Sequence, residues 1–322
     1  MEHFRLRVFR AVARRLNFRM AAEELLLTQP AVTQQIKALE ADLGVALFER
    51  AGGHVSLTVA GAALLPFAER LAALSAEARE AVTAATGGTA GALAVGASQT
   101  IGQYLLPRLI AGFRREYPRV EIGATGGNTQ AVLEALAEHR VQVALIEGPA
   151  LRRDVRVEEF MEDHMVCVVP AGHEWADEEI PASALRGATV VTRELGSGSR
   201  RIVEQALEAA GVRVRELRVG MTADSTEGLL SAVEAGLGVG FVSRWAVRNQ
   251  LELDTLRVAR VKGLKLGRMF SIATVAGPEP TGVVGAFRRF VMERAEDLAP
   301  RSTGRRSTAQ GRSAAQVRGR AK

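Results

Sequence analysis

Apolar positions in the first fifty residues fall into three short runs, each with helical spacing. In the first, Leu6, Phe9, Val12, Ala13 and Leu16 recur on one face. The second carries Phe18, Ala21, Ala22, Leu25 and Leu26, with Asn17 placed to cap it. Thr28 can cap the third, where Pro30 is tolerated in the first turn and Val32, Ile36, Leu39 and Leu43 form the stripe. Gly44 then offers a left-handed cap. Two helices joined by a tight turn, the second polar on its outer face, predict a helix-turn-helix. The stretch AGGHVSL, residues 51–57, predicts a glycine-rich hairpin of wing type.

A long helix follows, from about Thr58 to Thr86. Leu57, Leu64, Leu71 and Ala78 recur at heptad spacing, as do Ala60, Phe67, Leu74 and Ala81 on the offset positions. Such a seam predicts pairing with the same helix of a second chain; packing on its own chain is the other reading. Pro66 inside the run predicts a kink. GGTAG, residues 87–91, reads as a hinge.

Beyond the hinge, strand and helix patterns alternate. Strands are expected at GALAVGAS, VEIGATG, VQVALIEG, MVCVVP, ATVVT, VRELRVG, VGFVS and RMFSIATVAG. Helices are expected near 102–117, 129–139, 199–210, 226–236 and 283–297. This order predicts parallel sheets covered by helices, in two lobes. The resulting division is a winged helix-turn-helix at 1–58, a linker helix at 59–87, a two-lobed α/β domain at 88–298 and a tail at 299–322.

Charge changes the picture only at the C-terminus. The whole chain is +6, but residues 301–322 hold seven basic residues and no acid, so the remainder is −1. The pI of 10.2 therefore belongs to the tail. Its Ser, Gly, Ala, Gln and Arg composition predicts a solvated, disordered segment with at most nonspecific phosphate affinity. Cys167 is the sole cysteine, which excludes an intramolecular disulfide, and its apolar neighbours predict a buried thiol. The five histidines never reach metal-ligand spacing, so no metal and no cofactor are expected. No apolar run approaches the ~18 residues of a membrane span, and the N-terminus lacks a secretory pattern. A cytoplasmic protein without membrane contact is expected.

The stretch FRMAAEELLLTQPAVTQQIKALEADLGVALFER resembles the DNA-binding segment of LysR-type transcriptional regulators. The LFER turn, the LTVAG start of the linker helix with its LLPFA, and the two-lobed domain follow in the family's order over residues 2–298. The resemblance implies a DNA-binding regulator with an effector domain of periplasmic-binding-protein type. ASQTIGQYLLPRLIAGFRREYPRVEI, GNTQAVLEAL, ALIEGP and RELGSGSR are similar to the CysL-type regulators of sulfite reduction and, more distantly, to the Calvin-cycle CbbR regulators. The expected partners are promoter DNA, a small-molecule effector, RNA polymerase and further copies of the chain, as a homodimer or homotetramer.

Reading a major groove needs polar groups on one helix face. The third helix offers Gln29, Ala31, Thr33, Gln34 and Lys37 there, and the family motif adds Pro30. Gln suits adenine edges; Ala and the Thr methyl suit thymine. Arg50 and His54 in the wing are expected at phosphate or the minor groove. Arg19 departs from the Thr or Ser the family often has there; it is assigned to phosphate and its cap-like role is in doubt. A solvated helix face is the plainer reading of each.

Sensing a small anion suits helix N-termini, with their free N–H groups. Ser98, Gln99 and Thr100 precede one helix, Asn128 and Thr129 another, Ser197 and Ser199 a third, and Thr226 a fourth. Each could equally be an ordinary cap. Glu147, at a strand end, is expected to face the cleft, favouring a ligand with an amino group and opposing a doubly charged anion. The effector is expected between the lobes among these residues.

Two rival classes are weaker. GLGVGF follows a helix and lacks the dinucleotide register, and no P-loop or nucleophile elbow is present, so no catalytic residues are assigned. A periplasmic binding protein would need an export signal and no helix-turn-helix.

Overall fold

The computed structural model describes residues 3–51, 54–85, 89–150 and 152–298. The wing glycines Gly52 and Gly53, the hinge residues Gly87 and Gly88, and the basic tail lie outside these residues.

Helices α1 (Phe4–Arg15), α2 (Phe18–Leu25) and α3 (Gln29–Leu43) form the N-terminal bundle. Asn17 caps α2 by accepting from the Arg19 and Met20 amides, and Thr28 caps α3 by accepting from Ala31. Gly44 ends α3 in the left-handed region. Phe9, Phe18 and Phe48 meet in the core, with ring centroids 5.4 and 5.7 Å apart, over Val12, Val32 and Ile36. Strands β1 (Phe48–Ala51) and β2 (His54–Leu57) pair antiparallel as the wing. Glu40 of α3 accepts from the Leu47 amide at 2.8 Å and so fixes the wing against the helix.

The linker helix α4 (Val59–Ala85) runs unbroken through Pro66. Its start presses on the wing at Gly61, where a Cβ would lie 2.1 Å from the Leu47 carbonyl. One face packs on its own chain through Ala68 and Ala72, and Arg14 of α1 grips the buried Glu69 with two bonds of 2.9 and 2.8 Å. Of the heptad positions, Leu57, Ala60 and Leu64 pack on the chain's own N-terminal core, while Phe67, Leu71 and Leu74 are exposed. The window Val59–Ala76, of mean hydropathy 1.3, is long and apolar enough to cross a membrane by length and composition. Glu69 and Arg70 interrupt it, and Leu64, Leu65 and Ala68 within it pack on the N-terminal core.

Strands β3 (Gly91–Ser98), β4 (Val120–Gly127) and β5 (Val143–Glu147) are parallel neighbours. Between them run α5 (Leu106–Glu116) and α6 (Thr129–Ala137). A turn of wide, π-type helix, Ile101–Leu105, precedes α5, where Pro107 cannot supply the usual backbone donor. Strand β6 (Val155–Pro170) was expected only as its last six residues, 165–170. It is continuous and serves both lobes: its first ten residues pair with the first lobe and its last six with the second. The second lobe holds β7 (Glu179–Pro181), β8 (Thr189–Arg193), α7 (Gly198–Ala209), β9 (Arg218–Ala223), α8 (Thr226–Glu234), β10 (Val239–Ser243), α9 (Arg248–Glu252) and β11 (Leu256–Lys262). The chain returns through β12 (Gly267–Val275) and α10 (Gly282–Leu298) to the first lobe.

The ten strands form one sheet, in the order β4-β3-β5-β12-β6-β10-β8-β9, with β11 joined to β6 and β7. The expected two-lobed α/β architecture is present, with β7 and β11 as unexpected strands. VRELRVG is a strand only from Arg218, because a short 3-10 turn occupies Val214–Glu216.

Candidate functional site

The exposed side of α3 presents Gln29, Pro30, Gln34 and Lys37, with Ala31 and Thr33 half-buried between them. The Thr33 hydroxyl donates to the Gln29 carbonyl at 3.0 Å. Arg19, Gln29, Arg50 and His54 line one concavity of about 470 Å³, together with Asn17 and Phe18. The Arg50 guanidinium stacks on the Phe18 ring at 4.0 Å, which steadies a long side chain beside the helix start. Arg19 pairs with Glu23 at 3.1 Å on the surface. Its cap-like role is absent: the Asn17 side chain does the capping.

Between the lobes, the expected residues separate by role. Asn128 and Ser197 are caps of α6 and α7, accepting from Ala131 and Arg200. Gln99 reaches across to the Asp224 carbonyl at 3.5 Å, and Asn128 to that of Leu195 at 3.4 Å. Ser98, Thr100, Thr129, Glu147, Ser199 and Thr226 are buried. Thr129 donates to the Glu147 carbonyl at 2.9 Å.

What they surround was not foreseen. Arg268 of β12 is fully buried, and its guanidinium fills the centre. Nε donates to Asp163 Oδ2 at 2.7 Å, Nη1 to Ser199 Oγ at 2.8 Å and Nη2 to Thr100 Oγ1 at 3.2 Å. Glu147 Oε2 lies 3.1 Å from Nη2. Asp163 also accepts from Ser243 at 2.7 Å. A second buried arginine, Arg193, donates to Thr226 at 3.0 Å and pairs with Glu194 at 2.8 Å. Burial pushes the Asp163 carboxyl upward, against the pull of Arg268 and Ser243.

The gap bounded by Thr100, Arg193, Ser199 and Thr226 is too narrow to admit a water molecule. Glu147 is buried, and the cation beside it is the chain's own Arg268. A cavity of about 580 Å³ lies elsewhere, between α4 and the first lobe, walled by Phe67, Leu71, Leu74 and Val284. The missed residues had a faint signal: Arg268 is a lone charge near the start of an otherwise apolar strand.

Residues 4–62 match the family described as bacterial regulatory helix-turn-helix protein, lysR family, and residues 86–296 match the LysR substrate binding domain. The chain belongs to the LysR family. As a LysR-type protein it is a DNA-binding transcriptional regulator with an effector-binding domain. It is 32% identical over 271 residues to a probable RuBisCO transcriptional regulator of Phaeodactylum tricornutum, covering 83% of this chain and 88% of that one. A protein of the same name from Synechocystis is 34% identical over 271 residues, covering 83% and 79%. Among solved structures, full-length OxyR from Pseudomonas aeruginosa matches at a TM-score of 0.71 and 24% identity, over 92% of this chain and 95% of that one. CbnR bound to its target DNA matches at 0.66 and 24%, over 92% and 100%. The regulatory domain of Synechocystis CcmR, in complex with 2-PG, matches at 0.59 and 20%, over 65% and 100%. These structures share the LysR fold; the relatives named here bear the carbon-fixation name, the branch the sequence resemblance placed second.

Proposed function

We propose that this LysR-type regulator controls carbon-fixation genes from the cytoplasm, binding promoter DNA as a dimer or tetramer in response to a phosphorylated or carboxylate metabolite held between its lobes. The observation that carries the reading is the exposed row Gln29, Gln34 and Lys37 on α3, flanked by Arg50 stacked on Phe18. A helix so edged can lie in a major groove while the wing meets the backbone. The pathway is supported by the RuBisCO regulators it resembles over five-sixths of its length. The effector class is supported by CcmR, solved with 2-PG. The chain acts by binding, not turnover, and its working parts divide at residues 58, 87 and 298.

Mechanism follows from linkage. A ligand that favours one lobe arrangement shifts its population, and α4 carries the change to the helix-turn-helix. Glu69, clasped by Arg14, is the rigid joint between α1 and α4. The test is fluorescence anisotropy of the full-length protein on a duplex carrying the RuBisCO promoter of its own genome, with and without 2-phosphoglycolate. Salt-resistant binding to that duplex over a scrambled one is expected, with an affinity or footprint that changes on adding the metabolite. Equal binding to both duplexes overturns the reading.

A further inference from the structure

Two carboxylates, Glu147 and Asp163, share one buried cation, Arg268. They are not held equally. Asp163 accepts two short bonds, from Arg268 Nε and Ser243 Oγ, each 2.7 Å. Glu147 is 2% exposed, yet its Oε2, though near Arg268, is aligned with no hydrogen-bond donor. Its Oε1 has one long bond, from Ser199 Oγ at 3.3 Å. The Ser98 hydroxyl, at the end of the neighbouring strand β3, is also buried without a partner among the described residues. A buried charge so poorly satisfied is costly to keep, and the loose carboxylate is the one that gives way.

The place Glu147 occupies is one that suits an incoming anion. Its carboxylate comes from the first lobe, and Ser199 belongs to the first turn of the twelve-residue α7 of the second. Gly198 brings that helix start against β5, where a Cβ would lie 1.9 Å from the Glu147 carbonyl. An oxyanion at a helix N-terminus beside a guanidinium is strongly favoured, and here the protein supplies the oxyanion itself.

We propose that Glu147 is a tethered competitor of the effector: its carboxylate holds the Arg268–Ser199 place that the effector's oxyanion takes, so that binding exchanges one anion for another. This rests on the inter-lobe effector site proposed above. Asp163 stays on Arg268 and Ser243 throughout and keeps the guanidinium oriented. The side chain of Glu147 swings out as the lobes part, and the ligand presents a single carboxylate or phosphate end to Arg268. Ligands without an oxyanion cannot make the exchange.

The test is calorimetric titration of the full-length protein with 2-phosphoglycolate, inorganic phosphate and acetate. Glu147→Gln keeps the shape but removes the competing charge, and is expected to bind at least one of these about tenfold more tightly than the parent protein. Glu147→Asp, which keeps the charge with a shorter reach, is expected to fall between the two and serves if the Gln form does not fold. Arg268→Gln is expected to abolish binding. If the parent protein binds an anion and both Glu147 variants bind it equally or more weakly, the exchange is wrong and the inter-lobe site stands. If none of the three anions binds any form, both readings fall.

Discussion

Arg268 and Asp163 stand opposite one another across the β12–β6 pair, Nε to Oδ2 2.7 Å, with neither side chain exposed. Antiparallel register alone puts them on the same face of the sheet, at the point where β6 passes from one lobe to the other. Glu147 faces Phe270 across β5–β12, two residues along the strand from Arg268, and so meets the same guanidinium. Replacing Arg268 with Met strips the cation from two buried carboxylates. The expected loss is about 3–5 kcal/mol in urea unfolding of the effector domain, since an uncompensated buried charge is the dominant cost. A loss under about 1 kcal/mol would mean that water reaches the cluster.

The same cluster sets a pH dependence with a definite sign. Burial raises the Asp163 carboxyl above its ordinary value of 3.8 in the folded state. A folded state that takes up the proton more readily gains stability as pH falls through the window from the folded value down to 3.8, and loses it as pH rises. Arg268 and Ser243 pull the other way, and Glu147 adds to the upward push. Relative to Asp163→Asn, the parent protein is therefore expected to lose stability as pH rises through that window. Unfolding midpoints of both forms at stepped pH provide the measurement. A relative gain on raising pH would show that the ion pair outweighs burial.

On the DNA face, Gln34 and Lys37 are both exposed and three residues apart on α3, but they are expected to do different work. Gln34→Ala removes a bidentate partner for an adenine edge and should cost about 1–3 kcal/mol on the preferred operator, with little loss on scrambled DNA. Lys37→Ala removes a phosphate contact and should weaken both duplexes alike, lowering the slope of log K against log salt by about 1. Anisotropy titrations over a range of salt separate the two outcomes.

Leu26, at the turn between α2 and α3, has φ 55 and is 93% exposed. A side chain in the left-handed region costs about 1–2 kcal/mol, against an entropy cost for glycine of about 0.5–1. Leu26→Gly is therefore expected to raise stability by about 0.5–1 kcal/mol, because Leu26 has almost no buried surface to lose. A lowered Tm would point to a contact with DNA-bound or paired copies that the single chain does not make.

Legibility followed the range of the interactions. The caps Asn17, Thr28 and Gly44, and the α3 stripe Val32, Ile36 and Leu39, act within a few residues of their own position, and the sequence displays them directly. The inter-lobe hydroxyl side chains were legible because hydroxyl residues before helices are a local pattern. Whether such a residue caps or faces the cleft depends on what the other lobe brings: Ser197 caps α7, while Ser199, two residues on, meets Arg268. Arg268 and Asp163 lie 105 positions apart, and only strand register makes them neighbours. The first part of β6 was missed because RVEEFMED, residues 156–163, is rich in acids, which are rare in strands. Glu158 is held there by Arg288 of α10, and Asp163 by Arg268, partners no local pattern reveals.

The linker helix separates two kinds of apolar position that its sequence presents together. Ala68 is fully buried in the N-terminal core, whereas Phe67, Leu71 and Leu74 are 60%, 48% and 61% exposed and wall the cavity beside the first lobe. Glutamate at the first kind should unfold the joint; glutamate at the second should leave the monomer intact and separate the copies. Covering a side chain of this size stabilises by about 1.5–3 kcal/mol, and a symmetric pair of helices gains it from both chains. Leu71→Glu with Leu74→Glu is therefore expected to turn a sedimenting dimer or tetramer into smaller species with an unchanged urea midpoint for the effector domain. Ala68→Glu is expected to lower the stability of the N-terminal domain without that clean dissociation. If the double variant sediments as the parent protein does, the seam pairs with nothing and the copies are held by another surface.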